Sequence, residues 1–160
     1  MNTIPLTLNL TQFLQTGKFG FIPLGISKSE LETQGFPPED WGGAKSKAKA
    51  GVWRYGNFEL HFDREDRLKM IFNDYLDELD GGQSIKIEDY WILEHGTPTI
   101  LEVMASLNNL DINFSRKSNE FDQILLTTEH GITMSFEDED GACLIFAISQ
   151  ESHPAPVGGE

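Results

Sequence analysis

Alternation of apolar and polar residues predicts most of the strands in this chain. In the predicted strand 58–62, Phe58, Leu60 and Phe62 alternate with polar neighbours, which is typical of a sheet with one buried face. Residues 85–93 fit a strand slightly better than a helix. The other predicted strands lie at 19–24, 52–55, 67–75, 112–115, 123–128, 132–136 and 142–149.

Helical spacing and capping residues predict three helices. Residues 9–15 carry apolar side chains at helical spacing. Ser27 and Glu30 predict a capping box, in which each side chain bonds the other residue's backbone N–H. Thr97 followed by Pro98 is typical of an N-cap and first helical residue, so the third helix is predicted to begin there and to run to residue 107.

The order of these elements indicates an α+β fold made of two similar halves. The Gly-Gly pair at 81–82 is the clearest break in the pattern. We expect a single domain over residues 1–150, with one αβββ repeat at about 18–80 and a second at about 85–150. The repeats are expected to form one curved antiparallel sheet with helices packed on one face. Residues 151–160, rich in Pro and Gly, predict a disordered tail.

A gapless alignment of residues 56–72 with residues 130–146 indicates that the two halves are repeats. Five of the seventeen columns are identical, and both copies place a mostly acidic tetrapeptide where the hairpin turns. The recurring order of helix and strands favours duplication, although two amphipathic hairpins can also converge on this pattern. The alignment pairs Phe62 with Phe136, Ile71 with Ile145, Ser27 with Thr97 and Leu31 with Leu101.

The charge of the chain limits the partners to be considered. Twelve Lys and Arg against 26 Asp and Glu give a net charge of −14. This charge opposes binding to nucleic acid or to an anionic membrane, because both need clustered basic side chains. The one basic cluster, Lys45, Lys47 and Lys49, has the composition of a mobile loop. A strongly negative surface attracts a basic protein partner, or it serves solubility alone.

A single cysteine and the lack of targeting signals bear on the compartment. Cys143 is the only cysteine, so no internal disulfide is possible and an oxidising compartment gains no support. Because Cys143 lies in an apolar strand, we expect a buried, unreactive thiol. The first residues lack the features of a secretion signal, and no stretch is apolar enough to span a membrane. We therefore expect a cytoplasmic protein.

No catalytic, cofactor or metal motif stands out. The four histidines are scattered, with no pair at ligand spacing. The acidic run at 137–140 resembles part of a calcium loop but lacks the bidentate Glu and the flanking helices. We therefore expect no enzyme activity, no cofactor and no metal ion.

The candidate binding residues lie in the first half. Trp53 and Tyr55 stand in a strand beside one whose polar face is Glu59 and His61. Large aromatic residues among ionisable groups are typical of protein recognition. We therefore predict that these four residues form a protein-binding surface on the open face of the sheet. The alternative is that Trp53 packs under the N-terminal helix and Tyr55 closes the sheet edge, as core aromatics do.

The first half also has a distinctive order of motifs: a capped helix, a Pro-containing loop, a Trp-x-Tyr strand, an alternating strand and an acidic turn. The residues concerned are 24–27, Leu31, Gly35, Pro37, 53–55 and 58–62. This order resembles the β-lactamase-inhibitor-protein-like fold, a group that includes tandem-repeat inhibitors and small outer-membrane assembly lipoproteins. Residues 34–36 depart from the Leu-Gly-x-Pro expected there, and the cysteines and secretion signal common in that group are missing. Size, acidity and the YGNFELHF strand give a second likeness, to small cytoplasmic immunity proteins of bacterial toxin systems.

These resemblances imply a non-enzymatic protein-binding domain. It would be an inhibitor or immunity protein that blocks its partner sterically through the open sheet face. The alternative is an accessory domain that binds a small molecule or peptide in a pocket between sheet and helices, and an enzyme comes third. The expected partner is a protein, with a basic protein as one option, and not nucleic acid or membrane. The sequence does not indicate the oligomeric state.

Overall fold

A computed structural model describes residues 5–152 and has the predicted α+β fold. The helices are α1 (Leu10–Thr16), α2 (Lys28–Thr33) and α3 (Ile100–Asn109), and a short 3₁₀ helix spans Trp91–His95. The strands are β1 (Leu6–Asn9), β2 (Val52–Tyr55), β3 (Phe58–Phe62), β4 (Leu68–Asn73), β5 (Ile85–Asp89), β6 (Phe114–Ser118), β7 (Ile124–Thr128), β8 (Ile132–Glu139) and β9 (Ala142–Glu151).

Most strands form one large antiparallel sheet. Its order is β2-β3-β4-β9-β8-β7-β6, and β1 and β5 pair separately as a small parallel sheet. The inward-facing residues of the large sheet belong to a single buried cluster that also includes side chains from every helix. The helices therefore pack on one face of the large sheet, and the described residues leave its other face open. The helix members of the cluster include Leu10, Leu14, Leu31, Val103 and Leu107.

The strand predictions succeed where alternation is strong. β2 and β3 have the predicted bounds, and β4, β6, β7, β8 and β9 overlap their predicted ranges. The ambiguous segment 85–93 divides into β5 and the start of the 3₁₀ helix. β9 continues to Glu151, so the predicted tail begins too early, and residues 153–160 lie outside the described part of the chain.

Two predictions near the N-terminus are corrected by the structure. Residues 19–24 are not a strand, because the chain turns back at Gly20 (φ 56°) and leaves only an isolated bridge between Phe19 and Ile22. Strand β1 was not predicted. It has only four residues, and its partner β5 lies in the distant segment that links the two halves, so no local pattern marks the pairing.

Helix α3 begins later than predicted. Thr99, not Thr97, is the N-cap: its hydroxyl accepts a hydrogen bond from the Glu102 N–H at 3.2 Å, and its own N–H donates to the Glu102 carboxylate at 3.0 Å. A complete capping box satisfies two backbone N–H groups at the N-terminus of the helix. The Thr-Pro pair only places residue types that are favoured at the start of a helix. The predicted Ser27–Glu30 box is confirmed, and it lowers the pKa of Glu30, chiefly through the Ser27 N–H.

Thr99→Ala should therefore destabilise the fold and Thr97→Ala should not. Loss of an N-cap hydroxyl typically costs about 1 kcal/mol of unfolding free energy. Urea unfolding of the two single variants measures this difference. Equal losses for both variants, or a larger loss at position 97, would contradict the assignment of the cap.

The two halves are related by a pseudo-twofold axis that passes through the centre of the large sheet. β4 and β9 lie side by side, with Phe72 opposite Ser149. On either side of this pair, Ile71 lies opposite Gln150 and Asn73 opposite Ile148. Outward from this centre, β3 corresponds to β8 and β2 to β7. The second half adds the edge strand β6.

The strand register and the burial of side chains correct the sequence alignment of β4 with β9, the second strands of the two hairpins. Phe62 and Phe136 are both buried, and the β-bulge next to each falls at the same point of its hairpin. Phe62 pairs with Leu68, however, whereas Phe136 pairs with Ile145. The equivalent of Ile145 is therefore Leu68 and not Ile71, because the hairpin of the second half is longer at its turn.

The helices of the two halves correspond through their capping boxes. The N-caps Ser27 and Thr99 each form an isolated bridge, Ser27 to Arg67 immediately before β4 and Thr99 to Leu144 in β9. With the caps matched, the fully buried Leu31 corresponds to the fully buried Val103. The predicted partner of Leu31 is wrong, since Leu101 is 71% exposed.

A buried lysine ties the predicted mobile loop to the core. The Lys28 ammonium donates to the carbonyl oxygens of Ala48 and Ala50 at 3.0 and 2.6 Å and to the Asp66 carboxylate at 3.0 Å. It also lies 5.3 Å from the ring centre of Phe62. All three ammonium donors are thereby used, as a buried charge requires. The basic loop thus has fixed attachments to the core.

Candidate functional site

Trp53 and Tyr55 do not lie on the open face of the sheet, and their predicted role in binding is wrong. Both side chains are 0% exposed. The physical reason is register: Trp53 pairs with Leu60, and Tyr55 pairs with Phe58. Residues opposite one another in an antiparallel pair share a face, so both aromatics join the buried side of β3.

Their surroundings are those of core residues. The Trp53 indole N–H donates to the Lys47 carbonyl at 2.8 Å, and its ring lies 5.0 Å from that of Phe62. The Tyr55 ring stacks on Phe36 at 4.2 Å, and its hydroxyl donates to the Phe36 carbonyl. Burial raises the pKa of Tyr55. Trp53 therefore packs beside Lys28 of α2 and the basic loop.

Glu59 and His61 face the open side, as alternation predicts. Their side chains are 20% and 23% exposed, and the His61 Nε2 lies 2.8 Å from the Glu59 carboxylate. The Arg54 guanidinium lies 3.8 Å from the same carboxylate, and the His61 ring meets Phe72 edge-on at 6.0 Å. Because Glu59 already has two basic neighbours, it adds little negative field for a distant partner.

The open face can be defined by the strand register. Its nineteen residues are mostly polar, with the apolar Met70 and Phe72 on β4, one of the central strands, and six of them are charged. The members are Val52, Arg54, Glu59, His61, Met70, Phe72, Ser115, Lys117, Leu125, Thr127, Thr133, Ser135, Glu137, Glu139, Ala142, Leu144, Ala147, Ser149 and Glu151.

The negative charge is concentrated instead at one end of the sheet. β4 reaches this end at Asn73, and antiparallel pairing brings the β6–β7 and β8–β9 turns to the same end. The three segments concerned are 74–80, 119–123 and 137–141, here called the acidic end. They contain ten Asp and Glu residues and no Lys, Arg or His.

Two side-chain hydrogen bonds and two exposed aromatic residues characterise the acidic end. The Asn57 side chain donates to the Glu78 carbonyl at 2.7 Å, which folds segment 74–80 over the β2–β3 turn. The Gln123 amide reaches the Glu137 carboxylate at 3.4 Å. Tyr75 and Phe121 are 56% and 73% exposed, the highest values among the described aromatic residues.

Sequence reasoning missed Tyr75 and Phe121 as candidates. Each stands in a segment dense in carboxylates: NDYLDELD around Tyr75 and NEFD around Phe121. A large aromatic residue inside a short run of carboxylates is the local signal that could have found them. Their placement at one end of the sheet depends on topology and could not be read locally.

The structure offers little for small-molecule binding between sheet and helices. A cavity of about 20 Å³ lies there, lined by Leu10, Phe13, Phe19, Phe58 and Ile71 among others. Pockets for small ligands are usually about 300–1,000 Å³, so this space holds roughly one water molecule. The larger depressions of the described surface, such as one of about 530 Å³ beside α3 at His95 and Glu102, are open grooves.

Cys143 differs from its predicted state. The thiol is only partly buried, because Cys143 lies near the β8–β9 turn, beyond the densest part of the core. Burial and the nearby Asp138 carboxylate raise its pKa. Since the thiolate is the reactive form of cysteine, the raised pKa keeps that form scarce at neutral pH.

Metal-binding and membrane-spanning features can be stated for residues 5–152. Within this range no three His, Cys, Asp or Glu side chains converge as a metal site would require. No helix there has the length and apolar character needed to cross a membrane.

In comparisons with known proteins, no family model, curated protein or solved structure matches the chain.

Proposed function

We propose that this chain is a non-enzymatic protein-binding domain that holds a basic partner at its acidic end. The observation that carries the proposal is the placement of ten carboxylates, without a basic side chain, in three segments at one end of the sheet. Concentrated charge of one sign steers an oppositely charged protein and speeds its docking.

The spread of these carboxylates favours a macromolecule over an ion. Among the described residues they form no cluster that could hold a metal. Strand β8 also runs five residues, 135–139, past the level of the last β4 residue, or about 17 Å at the usual rise of a strand. Charges distributed over such a distance match a surface with several Lys and Arg residues.

The exposed aromatic rings supply the second element of a protein interface. Electrostatic steering affects mainly the association rate, whereas buried aromatic anchors hold a complex together. Tyr75 and Phe121 stand among the carboxylates and are largely exposed. We assign them the anchoring role that Trp53 and Tyr55 cannot have.

The mode of action follows from these features and from the resemblance to inhibitor and immunity proteins. A domain that covers a basic active or nucleic-acid-binding surface blocks it sterically and needs no cofactor. A cytoplasmic location belongs to the same proposal. The alternative of a pocket-binding accessory domain is less favoured, since the space between sheet and helices is about 20 Å³.

The test begins with a partner captured on the immobilised chain from native cell extract and then purified. The double variant Asp77→Asn/Glu78→Gln should slow association with this partner about tenfold at low salt. Glu65→Gln/Asp111→Asn, which removes the same charge at the opposite end of the sheet, is the matched control. None of these four carboxylates accepts a hydrogen bond from another described residue, so the fold should be unaffected.

Stopped-flow kinetics distinguishes the two double variants. The proposal requires a slower association rate for the acidic-end variant, with the control close to wild type. It also requires faster dissociation for Tyr75→Ala and Phe121→Ala. Equal effects of both double variants, or no effect of any of these changes, would contradict the proposal.

A further inference from the structure

The two edge strands of the large sheet, β2 and β6, differ in how their outer backbone groups are bonded. At β2, the Arg54 N–H donates to the Asp40 carbonyl at 2.8 Å, and the Arg54 carbonyl accepts from the Glu39 N–H at 3.0 Å. These two residues therefore close the edge of the first half. β6 pairs with β7 on one side, and no described residue pairs with its other side. The edge of the second half is open.

Two hydrogen bonds at the ends of the β6–β7 hairpin fix the direction of the backbone groups of β6. The Glu129 N–H donates to the Asn113 carbonyl at 3.1 Å, and the Asn119 N–H donates to the Gln123 carbonyl at 3.0 Å. Both bonds join residues that are directly opposite one another in the register of this hairpin. The positions at both ends of β6 are therefore of the hydrogen-bonded type.

Alternation then assigns every residue of β6. Directly opposed residues of an antiparallel pair alternate between hydrogen-bonded and non-hydrogen-bonded positions, and this pairing has no register shift. Ser115 and Lys117 therefore bond to β7. The N–H and C=O groups of Phe114, Arg116 and Ser118 point away from β7, and among the described residues they have no hydrogen-bond partner. Such a row of free groups is a template for a further strand.

Strand β6 is basic, although the chain has a net charge of −14. Arg116 and Lys117 are exposed, and neither forms an ion pair with a described carboxylate. Arg116 lies opposite the buried Leu126 on the helix-bearing face, and Lys117 lies opposite Leu125 on the open face. An added strand would therefore meet one positive charge on each of its two faces.

We propose that the open edge of β6 binds an extended acidic segment of a protein partner, which adds a strand to the large sheet. Main-chain hydrogen bonds to Phe114, Arg116 and Ser118 would hold the segment, as in other complexes formed by strand addition. Two adjacent Asp or Glu residues of the segment would face Arg116 and Lys117, because opposed residues of neighbouring strands share a face. This contact goes beyond the proposed function and does not depend on it, since it uses backbone groups outside the acidic end.

Charge favours an acidic segment over a second copy of the chain. An antiparallel pair of two β6 strands centred on the outward-pointing Arg116 would place two guanidinium groups opposite one another. Like charges in directly opposed positions destabilise a strand pair. Charged side chains on an edge strand also protect it from pairing with further copies. The same side chains repel a basic segment and attract an acidic one.

Nuclear magnetic resonance of the full chain with two synthetic peptides tests the proposal. Each peptide has about nine residues, a usual strand length, with alternating Thr and Val around a central Glu-Glu or Lys-Lys pair and with blocked ends. The titrations use about 150 mM NaCl, which largely screens charges more than about 8 Å away. The Glu-Glu peptide should bind with a dissociation constant below about 1 mM and at least tenfold more tightly than the Lys-Lys peptide.

Amide hydrogen exchange locates the bound peptide. In the free chain, the N–H groups of Arg116 and Ser118 should exchange faster than those of Ser115 and Lys117, which are bonded to β7. The Glu-Glu peptide should slow exchange at Arg116 and Ser118. A Glu-Glu peptide with N-methyl groups on alternate residues along its bonding edge should not bind, and this probe leaves the chain itself unchanged.

Two substitutions at one position separate the backbone from the charge. Arg116→Pro removes an outward N–H, which an edge strand tolerates, and should weaken binding of the Glu-Glu peptide at least tenfold. Arg116→Gln loses the same charge but keeps the N–H, so it is the matched control and should weaken binding about threefold. Circular dichroism confirms that both variants are folded.

Four results would overturn the proposal. They are no binding of the Glu-Glu peptide at millimolar concentration, equal affinity for the Glu-Glu and Lys-Lys peptides, undiminished binding of the N-methylated peptide, and binding without slower exchange at Arg116 and Ser118. None of these results depends on whether a basic partner binds the acidic end.

Discussion

Replacing Trp53 with alanine should lower the free energy of unfolding by about 3–5 kcal/mol, the usual cost of removing a large aromatic side chain from a core. Trp53 is completely buried and contacts Phe62, and its indole N–H is bonded to the Lys47 carbonyl. Chemical denaturation of the variant and the wild type measures the loss. A change below about 1 kcal/mol would show that Trp53 is not a core residue.

Trp53→Phe is the control for this substitution. Phenylalanine keeps most of the buried area but cannot donate to the Lys47 carbonyl. The expected loss is smaller, about 1–2 kcal/mol, from the missing hydrogen bond and a modest loss of volume. Equal destabilisation by both substitutions would mean that the hydrogen bond, and not the packing of the ring, dominates at this site.

Lys28→Met should lower the free energy of unfolding by about 2–4 kcal/mol. Methionine keeps the apolar stem but removes the ammonium that binds two loop carbonyls and Asp66. These carbonyls then lose their partner, and the loop loses its attachment to the core. Denaturation measures the loss, and limited proteolysis near residue 48 should become faster.

Lys47→Met is the matched control. Lys47 also forms an ion pair, with Glu32 at 2.6 Å, but both side chains are about 40% exposed. Exposed pairs contribute about 0–1 kcal/mol, so this variant should remain close to wild type. If Lys28→Met and Lys47→Met had equal effects, the special role of the buried lysine would be wrong.

The sequence predicted the parts of the fold that depend on local patterns. Alternation located β2 and β3, and the Ser27–Glu30 box located α2. The orientation of β2 was also within reach. Gly56 and Asn57 form a two-residue hairpin turn, and such a turn places Tyr55 opposite Phe58 and hence on the buried face. The prediction that Trp53 and Tyr55 lie on the open face was wrong because it rested on residue type and did not use this strand register.

Non-local features could not be predicted in the same way. The pairing of β1 with β5 joins segments from opposite ends of the first half, and nothing near either strand specifies it. The sequence alignment did not show that the β8–β9 hairpin is longer than the β3–β4 hairpin, because the alignment has no gap and pairs Ile71 with Ile145. The acidic end is non-local as well, since its three segments meet only through the order of the sheet.

Carboxyl footprinting of the complex tests the binding of a basic partner at the acidic end most directly. A carbodiimide and a neutral amine label exposed carboxylates, and mass spectrometry of the free and partner-bound chain measures the label at each site. Binding at the acidic end predicts that labelling falls at segments 74–80, 119–123 and 137–141, while the exposed Glu65 and Asp111 at the opposite end label as in the free chain. Unchanged labelling of the acidic end, with protection at Glu65 or Asp111 instead, would contradict binding at the acidic end.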